Sequence, residues 1–250
     1  MDQSAWAPHG AAMRAFHQGE RDAAIVVYDD YERDEVPIAY FFREPAEFPS
    51  YERLALDLCR GRVLDVGAGS GCHSLALQAR GLEVTAIEAL PELVSILRDR
   101  GVRDVRLTTW SDLVARPYDT VLVLMNGFGL AETLSGLPRF LRKMRRLVRP
   151  DGQLIADSTD VRVRMDPEAG RSGSLLRADG RYIGELHFQL EFGGRKGAPF
   201  AQLYVDPETL GRHAEETGWQ SEIISAPDEY GHFLARLTRR VRRLATLSAG

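Results

Sequence analysis

The middle of the chain alternates between short, continuous apolar runs and longer stretches in which apolar residues recur every three or four positions. The longer stretches are typical of amphipathic helices, and the continuous runs are typical of strands buried on both faces of a parallel sheet. This alternation predicts an α/β fold with a doubly wound sheet. The predicted strands are 62–66, 82–87, 105–108 and 118–125.

A glycine-rich turn joins the first of these strands to a helix. Gly67, Gly69 and Gly71 stand at every second position, and Asp65 precedes the first of them by two residues. Because glycine has no Cβ, a ligand can lie directly against the backbone, and the N-terminus of the next helix offers unpaired N–H groups. Dinucleotide-binding enzymes use a similar turn, but Cys72 stands where their third glycine would be. A turn that only packs the helix is the alternative.

The D-x-G-x-G-x-G pattern of residues 65–71 resembles the cofactor loop of class I S-adenosylmethionine-dependent methyltransferases. Glu88, which ends the second strand, and the Pro150-Asp151-Gly152 turn before the fifth strand resemble the same family. The resemblance covers about residues 50–240. It implies a Rossmann-like sheet of seven strands in the order 3-2-1-4-5-7-6, with strand 7 antiparallel, and S-adenosyl-L-methionine lying across the strand tips.

The resemblance also implies roles for individual residues. The methionine part of the cofactor would lie on the glycine loop, and Glu88 would accept hydrogen bonds from both ribose hydroxyls. Ala89 would lie beside the adenine, with Trp110 and Ser111 where the family usually has a Gly-Asp pair. Asn126 follows the fourth strand without the prolines of base-modifying methyltransferases, which disfavours the methylation of a flipped base. The expected cofactor residues are Asp65, Gly67, Ala68, Gly69, Gly71, Glu88, Ala89, Trp110, Ser111 and Asn126.

Two regions are candidates for binding the methyl acceptor. Residues 157–160 follow the fifth strand at the edge where open α/β sheets bind ligands, although helix capping explains these polar residues equally well. Aromatic residues are concentrated in 25–43, where they either pack a leading helix onto the sheet or form a lid over the cofactor. The expected acceptor contacts are Tyr31, Tyr40, Asp157 and Asp160. No general base is assigned.

The chain is expected to contain two additions to the minimal fold. Residues 1–50 are assigned to an N-terminal lid, and residues 51–250 to the methyltransferase domain, with a loop and a β-hairpin inserted at about 160–205. Alternating apolar residues in 181–192, followed by the glycine-rich turn at 193–197, predict this hairpin. It could extend a substrate pocket or form the face of a homodimer.

Composition narrows the choice of partners. The 250 residues carry a formal net charge of −4, which disfavours a general nucleic-acid-binding protein. No apolar run approaches the roughly 20 residues of a membrane span, and the first residues lack the features of a signal peptide, so we expect a cytoplasmic protein. Cys59 and Cys72 are too few for a disulfide framework or a zinc site, and no metal is expected.

These features predict a methyltransferase that acts on a small-molecule acceptor by in-line displacement. The positive charge of the donor already activates its methyl group, so orientation and desolvation can supply much of the acceleration. An RNA or protein methyltransferase is one alternative, indicated by the arginines of the predicted helix at 134–148. A non-catalytic, nucleoside-binding regulatory protein is another.

Overall fold

The computed structural model describes residues 3–114, 116–164, 175–177 and 180–240. Most of the loop expected after residue 160 therefore lies outside the described residues. The α-helices are α1 (Gln3–His17), α2 (Ser50–Leu58), α3 (Cys72–Ala79), α4 (Pro91–Asp99), α5 (Leu137–Leu147) and α6 (Pro207–Glu216). The strands are β1 (Ala24–Tyr28), β2 (Arg33–Pro37), β3 (Arg62–Val66), β4 (Glu83–Glu88), β5 (Asp104–Leu107), β6 (Tyr118–Val123), β7 (Val148–Thr159), β8 (Glu185–Phe192), β9 (Arg195–Lys196), β10 (Phe200–Leu203), β11 (Trp219–Ser225) and β12 (His232–Arg239).

The central sheet has seven strands in the order β5-β4-β3-β6-β7-β12-β11. The first five are parallel, whereas β12 runs antiparallel to β7 and β11 antiparallel to β12. Numbered within the sheet, this order is 3-2-1-4-5-7-6 with strand 7 antiparallel, and the predicted fold is confirmed. The chain leaves β3 for β4 on one side, and β6 lies on the other. The edge beyond β3 and β6 is therefore the switch point at which open α/β sheets bind ligands.

Helices cover both faces of this sheet. Leu64 and Val121 pack toward α5 and α6, whereas their neighbours Val63 and Leu122 pack toward α2 and α3. All four side chains are buried. Because both faces are covered, all but one position in each of β3 and β6 is buried, which explains the continuous apolar runs.

The end of the fifth strand differs from the prediction. Residues 157–160 were expected to follow the strand, but β7 continues through Thr159. Asp157 lies within it and pairs with Leu234 of β12. The prediction that these residues follow the strand was wrong for 157–159 and correct for Asp160 alone, because pairing with an antiparallel neighbour extends the strand beyond its apolar run.

A second, antiparallel sheet combines the N-terminal segment with the expected hairpin. Its order is β10-β8-β1-β2, and the short β9 also pairs with β8. The hairpin is present, with Phe188 of β8 opposite Phe200 of β10. On its other side, β8 pairs with β1, where Val26 is opposite Glu191. Two segments that are far apart in the sequence therefore form one structure.

Helix α1 connects this second sheet to the central one. The Gln3 side chain donates to the carbonyl oxygen of Ala89, just after β4, at 3.2 Å. Three residues along, the Trp6 ring packs against Phe200 with 4.7 Å between ring centroids. The helix has 15 residues. It is no membrane span, and no other helix of the described residues has the length and apolar character to be one.

Candidate active site

The three glycines of the loop after β3 have two different roles. Gly67 and Gly69 have φ angles of +72° and +58°, and a Cβ at either position would meet no atom within 4 Å. At Gly71, in contrast, a Cβ would lie 2.7 Å from the Leu97 side chain of α4. The first two glycines therefore leave open space beside the backbone, and the third allows a helix to pack closely.

Glu88 ends β4 with its carboxylate beside this loop. Its Oε2 accepts a hydrogen bond from the N–H of Gly69 at 3.1 Å, and its Oε1 accepts from the N–H of Ala89 at 2.7 Å. Burial raises the pKa of Glu88, although these backbone hydrogen bonds oppose the shift. The carboxylate expected to bind ribose thus adjoins the backbone expected to hold the methionine part.

A partly covered cavity of about 350 Å³ is lined by Gly67, Gly69 and Glu88. Its floor includes the strand ends of the central sheet and the turn at Met125 and Asn126, and its roof comes from α1 and the second sheet. Cavities of roughly 300–1,000 Å³ are typical sites for small molecules. The roof residues that sequence reasoning did not identify are Trp6, His9, Phe188, Phe200, Gln202 and Tyr204.

A smaller space of about 20 Å³ also adjoins Gly67 and Glu88, and it is bordered by Ala89, Trp110 and Leu130. A space of this size has room for about one water molecule, so it shows only that Ala89 and Trp110 lie beside the glycine loop. Gly67 and Glu88 line both spaces.

The side chains of Trp110 and Ser111 are held by neighbouring residues. The Trp110 ring lies edge-on to Phe140, with 5.2 Å between ring centroids. The Ser111 hydroxyl forms a hydrogen bond with that of Thr109 at 2.8 Å. Trp110 borders the smaller space, whereas Ser111 is not among the residues that line it.

The turn after β6 has an unusual backbone that Asp157 stabilises. Met125 and Asn126 have φ angles of +65° and +60°, which residues other than glycine rarely adopt. The buried Asp157 carboxylate accepts hydrogen bonds from the N–H groups of Asn126 at 3.1 Å and Gly127 at 2.8 Å. Burial raises the pKa of Asp157, and these two donors oppose the shift. Asp157 therefore shapes the cavity floor from beneath.

Asp65 and Ala68 support the glycine loop from inside the core. The buried Asp65 carboxylate accepts a hydrogen bond from the Ser74 hydroxyl of α3 at 2.6 Å, and burial raises its pKa. Ala68 is buried, and its N–H donates to the carbonyl oxygen of Ile87 at 3.2 Å. These contacts fix the loop between β3 and β4.

A buried ion-pair cluster connects the segment before α2 to the helix that follows the glycine loop. The fully buried Glu52 carboxylate accepts from the Arg43 guanidinium and contacts Nε2 of His73, both at 2.8 Å. Burial alone raises the pKa of Glu52, but the hydrogen bonds from His73 and Arg43 hold it below its ordinary value. The sequence pattern gave no signal for this cluster.

None of the four expected acceptor contacts lines the cavity of about 350 Å³, and Asp157 only supports its floor. Tyr31 is 66% exposed, and the Arg177 guanidinium lies 5.4 Å from its ring centroid. Tyr40 borders a separate, open groove on the surface. The Asp160 carboxylate accepts from the Arg162 guanidinium at 2.6 Å. The structure therefore does not bring these side chains together with the residues around Glu88.

One signal in the sequence could have identified part of the roof. The alternation in 181–192 separates Leu186, Phe188 and Leu190 from the polar residues between them. All three are buried, and the last two line the cavity. An apolar face on an inserted hairpin must be covered, and here it covers the strand tips.

Comparisons with known proteins agree with this geometry. A family model described as a methyltransferase domain matches residues 64–156. A crystal structure of a SAM-dependent methyltransferase from Bacteroides fragilis, in complex with S-adenosyl-L-homocysteine, is similar to this chain with a TM-score of 0.82. The two are 38% identical, and the alignment covers 94% of this chain and 95% of that one.

Two curated relatives are named ubiquinone biosynthesis O-methyltransferase. The relative from Xanthomonas euvesicatoria pv. vesicatoria is 31% identical over 186 residues, 70% of this chain and 69% of that protein. The relative from Xanthomonas oryzae pv. oryzae (strain PXO99A) is 35% identical over 115 residues, and the match spans only 45% of its length and 42% of this chain. With the glycine loop, Glu88 and the sheet order in place, the chain belongs to the class I SAM-dependent methyltransferases, with S-adenosyl-L-methionine as cofactor.

Proposed function

We propose that this protein transfers a methyl group from S-adenosyl-L-methionine to a small molecule enclosed between its two sheets. The observation that carries the proposal is the cavity of about 350 Å³, which opens onto Gly67, Gly69 and Glu88 and is closed above by α1 and the second sheet. A space of this size accommodates small ligands, whereas a nucleic-acid strand or a folded protein needs an open surface.

The residues at the glycine loop fit the cofactor. Gly67 and Gly69 leave room for its methionine part, Glu88 can accept hydrogen bonds from the ribose hydroxyls, and Trp110 lies near Glu88 on the side where the adenine would lie. When bound, the sulfonium supplies a methyl group that is already activated for displacement. The chain then has to orient the acceptor and exclude water, and a largely apolar cavity covered by α1 and the second sheet contributes to both.

The N-terminal segment and the hairpin together act as the lid of this site. Phe41 lines the cavity, and its carbonyl oxygen accepts a hydrogen bond from the Ser70 hydroxyl of the glycine loop. Trp6 and Phe200 meet above the same cavity. The name of the Xanthomonas relatives supports an oxygen atom as the methylated position.

The basic residues of α5 give little support to an RNA substrate. The Lys143 ammonium donates to the carbonyl oxygens of Ser111 and Leu113 at 2.8 and 2.9 Å. Another cation of this helix, the Arg145 guanidinium, donates to the carbonyl oxygen of Gly218 at 3.3 Å. Both side chains donate to backbone carbonyl oxygens of neighbouring segments. They are therefore less available to contact the phosphate groups of an RNA.

Calorimetry and a methyl-transfer assay test the proposal together. We expect the purified protein to bind S-adenosyl-L-homocysteine and to transfer label from methyl-labelled S-adenosyl-L-methionine to compounds below about 1 kDa in an extract of small metabolites. Transfer to RNA or protein fractions alone would contradict the small-molecule acceptor. Binding without transfer to any fraction would instead support a regulatory protein.

A further inference from the structure

His9 of α1 is a titratable group that the roof of the cavity leaves without a polar partner. Its ring lies edge-on to Trp6 and Phe41, with 5.9 and 4.9 Å between ring centroids. Among the described residues, no hydrogen bond to the imidazole is formed. Burial lowers the pKa of His9 to about 4. The ring is therefore neutral near pH 7, and one of its nitrogens can accept a proton.

The charges around the cavity limit the acceptors that it can hold. The titratable residues among the described lining are His9, Glu88 and Tyr204, and this lining includes no lysine or arginine. The Glu88 carboxylate already accepts hydrogen bonds from Gly69 and Ala89. A carboxylate or phosphate on the acceptor would find no cationic side chain in this lining, which is unfavourable for a buried anion. The cavity therefore favours a neutral molecule.

Aromatic side chains form much of the roof. Phe188 stacks against Phe200 and Tyr204, with 5.9 Å between ring centroids in each pair. The indole of Trp6 packs on the same phenylalanine of β10. Flat aromatic surfaces pack best against another planar ring, so the lining favours an aromatic acceptor.

The other polar side chains of the lining cannot replace His9. The Asn126 amide donates to the carbonyl oxygen of Leu203 and accepts from the Ser158 hydroxyl, both at 3.4 Å. Gln202 carries an amide, which does not take up a proton near neutral pH. Of the described lining residues, His9 combines a neutral basic nitrogen with the absence of a hydrogen-bond partner.

We propose that His9 binds the hydroxyl group of a neutral, aromatic acceptor and takes its proton during methyl transfer. This inference rests on the proposed function, because cofactor and acceptor must share the cavity. The acceptor oxygen forms a bond to the methyl carbon, the bond from that carbon to sulfur breaks with its electron pair on sulfur, and the O–H proton passes to the imidazole. His9 then releases the proton to solvent, so that one proton leaves for each methyl group transferred.

Two substitutions separate this role from packing. His9→Phe keeps a ring between Trp6 and Phe41 but removes both nitrogens, and His9→Asn keeps a hydrogen-bonding group of smaller size. The matched control is His17→Phe, on the same helix, which removes an imidazole that pairs with Asp99 at 3.4 Å. His17 is not among the residues that line the cavity.

The probes are catechol, which is neutral and carries hydroxyls, 1,2-dimethoxybenzene, which lacks them, and 3,4-dihydroxybenzoate, which adds a carboxylate. Calorimetry measures their binding to the protein saturated with S-adenosyl-L-homocysteine. We expect His9→Phe to weaken catechol binding about tenfold, as the loss of one hydrogen bond in an apolar site does, and to leave 1,2-dimethoxybenzene and S-adenosyl-L-homocysteine within about twofold. The wild type should bind 3,4-dihydroxybenzoate at least about tenfold more weakly than catechol. His9→Asn should lie between the wild type and His9→Phe.

A measurement on the wild type does not depend on any variant folding. With ¹⁵N-labelled histidine, catechol should shift the ring-nitrogen signals of His9 in the S-adenosyl-L-homocysteine complex and leave those of His17 in place. The role of His9 would be overturned by unchanged His9 signals, or by equal catechol binding to the wild type and His9→Phe. It would also be overturned if the wild type bound 3,4-dihydroxybenzoate as tightly as catechol, or bound none of the probes. Failure to bind S-adenosyl-L-homocysteine would instead contradict the proposed function itself.

Discussion

The carboxylate of Glu88 accepts a hydrogen bond from the backbone N–H of Gly69 at 3.1 Å, so the last residue of β4 lies directly beside the glycine loop. A carboxylate has two acceptor oxygens and can accept hydrogen bonds from two neighbouring hydroxyls, whereas an amide has only one acceptor oxygen. We expect Glu88→Gln to bind S-adenosyl-L-homocysteine about 10- to 100-fold more weakly by calorimetry, which corresponds to roughly 1–3 kcal/mol.

The control for this change is Glu92→Gln. Glu92 belongs to α4, four residues further along, and pairs at the surface with Arg14 at 3.1 Å. Exposed ion pairs contribute little to stability, so this variant should bind the ligand like the wild type. Equal affinities of the two variants would show that Glu88 does not contact the cofactor.

Alanine substitutions in the glycine loop should distinguish backbone strain from loss of ligand space. Gly67 and Gly81 have φ angles of +72° and +83°, and an added Cβ meets no atom within 4 Å at either position. Both alanine variants should lose roughly 1–2 kcal/mol of unfolding free energy, because both place a side chain in the left-handed region. Only Gly67→Ala should also lose affinity for S-adenosyl-L-homocysteine, by at least about tenfold.

Gly71→Ala should behave in the opposite way. Its Cβ would lie 2.7 Å from Leu97, so the fold should be destabilised more than in the Gly81 variant. Urea denaturation measures the loss of unfolding free energy in each variant. Calorimetry on the folded fraction measures the affinity for S-adenosyl-L-homocysteine. A Gly67→Ala variant that binds the ligand normally would contradict the placement of the cofactor on this loop.

Asp157→Asn should weaken the cavity floor. The amide has one acceptor oxygen for the two N–H groups of Asn126 and Gly127, which the carboxylate satisfies at 3.1 and 2.8 Å. We expect a loss of about 1–3 kcal/mol in unfolding free energy, because a buried donor is left unsatisfied next to strained backbone. Asp151→Asn, with a side chain that is 81% exposed, should stay within about 0.5 kcal/mol of the wild type in the same urea series.

The parts of the site that the sequence predicted are those that depend on local order. The glycine loop follows β3 and Glu88 ends β4, and the parallel sheet brings both strand ends to one edge. The position of each beside the cavity could therefore be predicted from its place relative to a strand. Gly71 is the exception, since its contact with Leu97 depends on how α4 packs.

The roof of the cavity could not be predicted because it depends on pairing between distant segments. β1 and β8 pair through residues such as Val27 and Leu190, and nothing in either segment specifies the other as its partner. His9 lines the cavity only because α1 crosses above β4. Sequence patterns locate apolar faces, but they do not say which two faces meet.

The buried cluster of Glu52, Arg43 and His73 gives the last prediction, in which the sign of the pH effect is decisive. The pKa of Glu52 lies below its ordinary value of 4.5, so its contribution to stability is present above pH 4.5 and is lost as the pH falls through the lower folded value. Glu52→Gln leaves the Arg43 charge buried without its partner, and we expect a loss of about 3–5 kcal/mol near neutral pH. Urea denaturation should show this gap narrowing below pH 4.5, while Asp57→Asn, which removes the surface partner of Arg80, changes little at either pH. A gap that stays constant with pH would mean that the Glu52 carboxyl has the same pKa in the folded and the unfolded protein, which would contradict its lowered pKa in the fold.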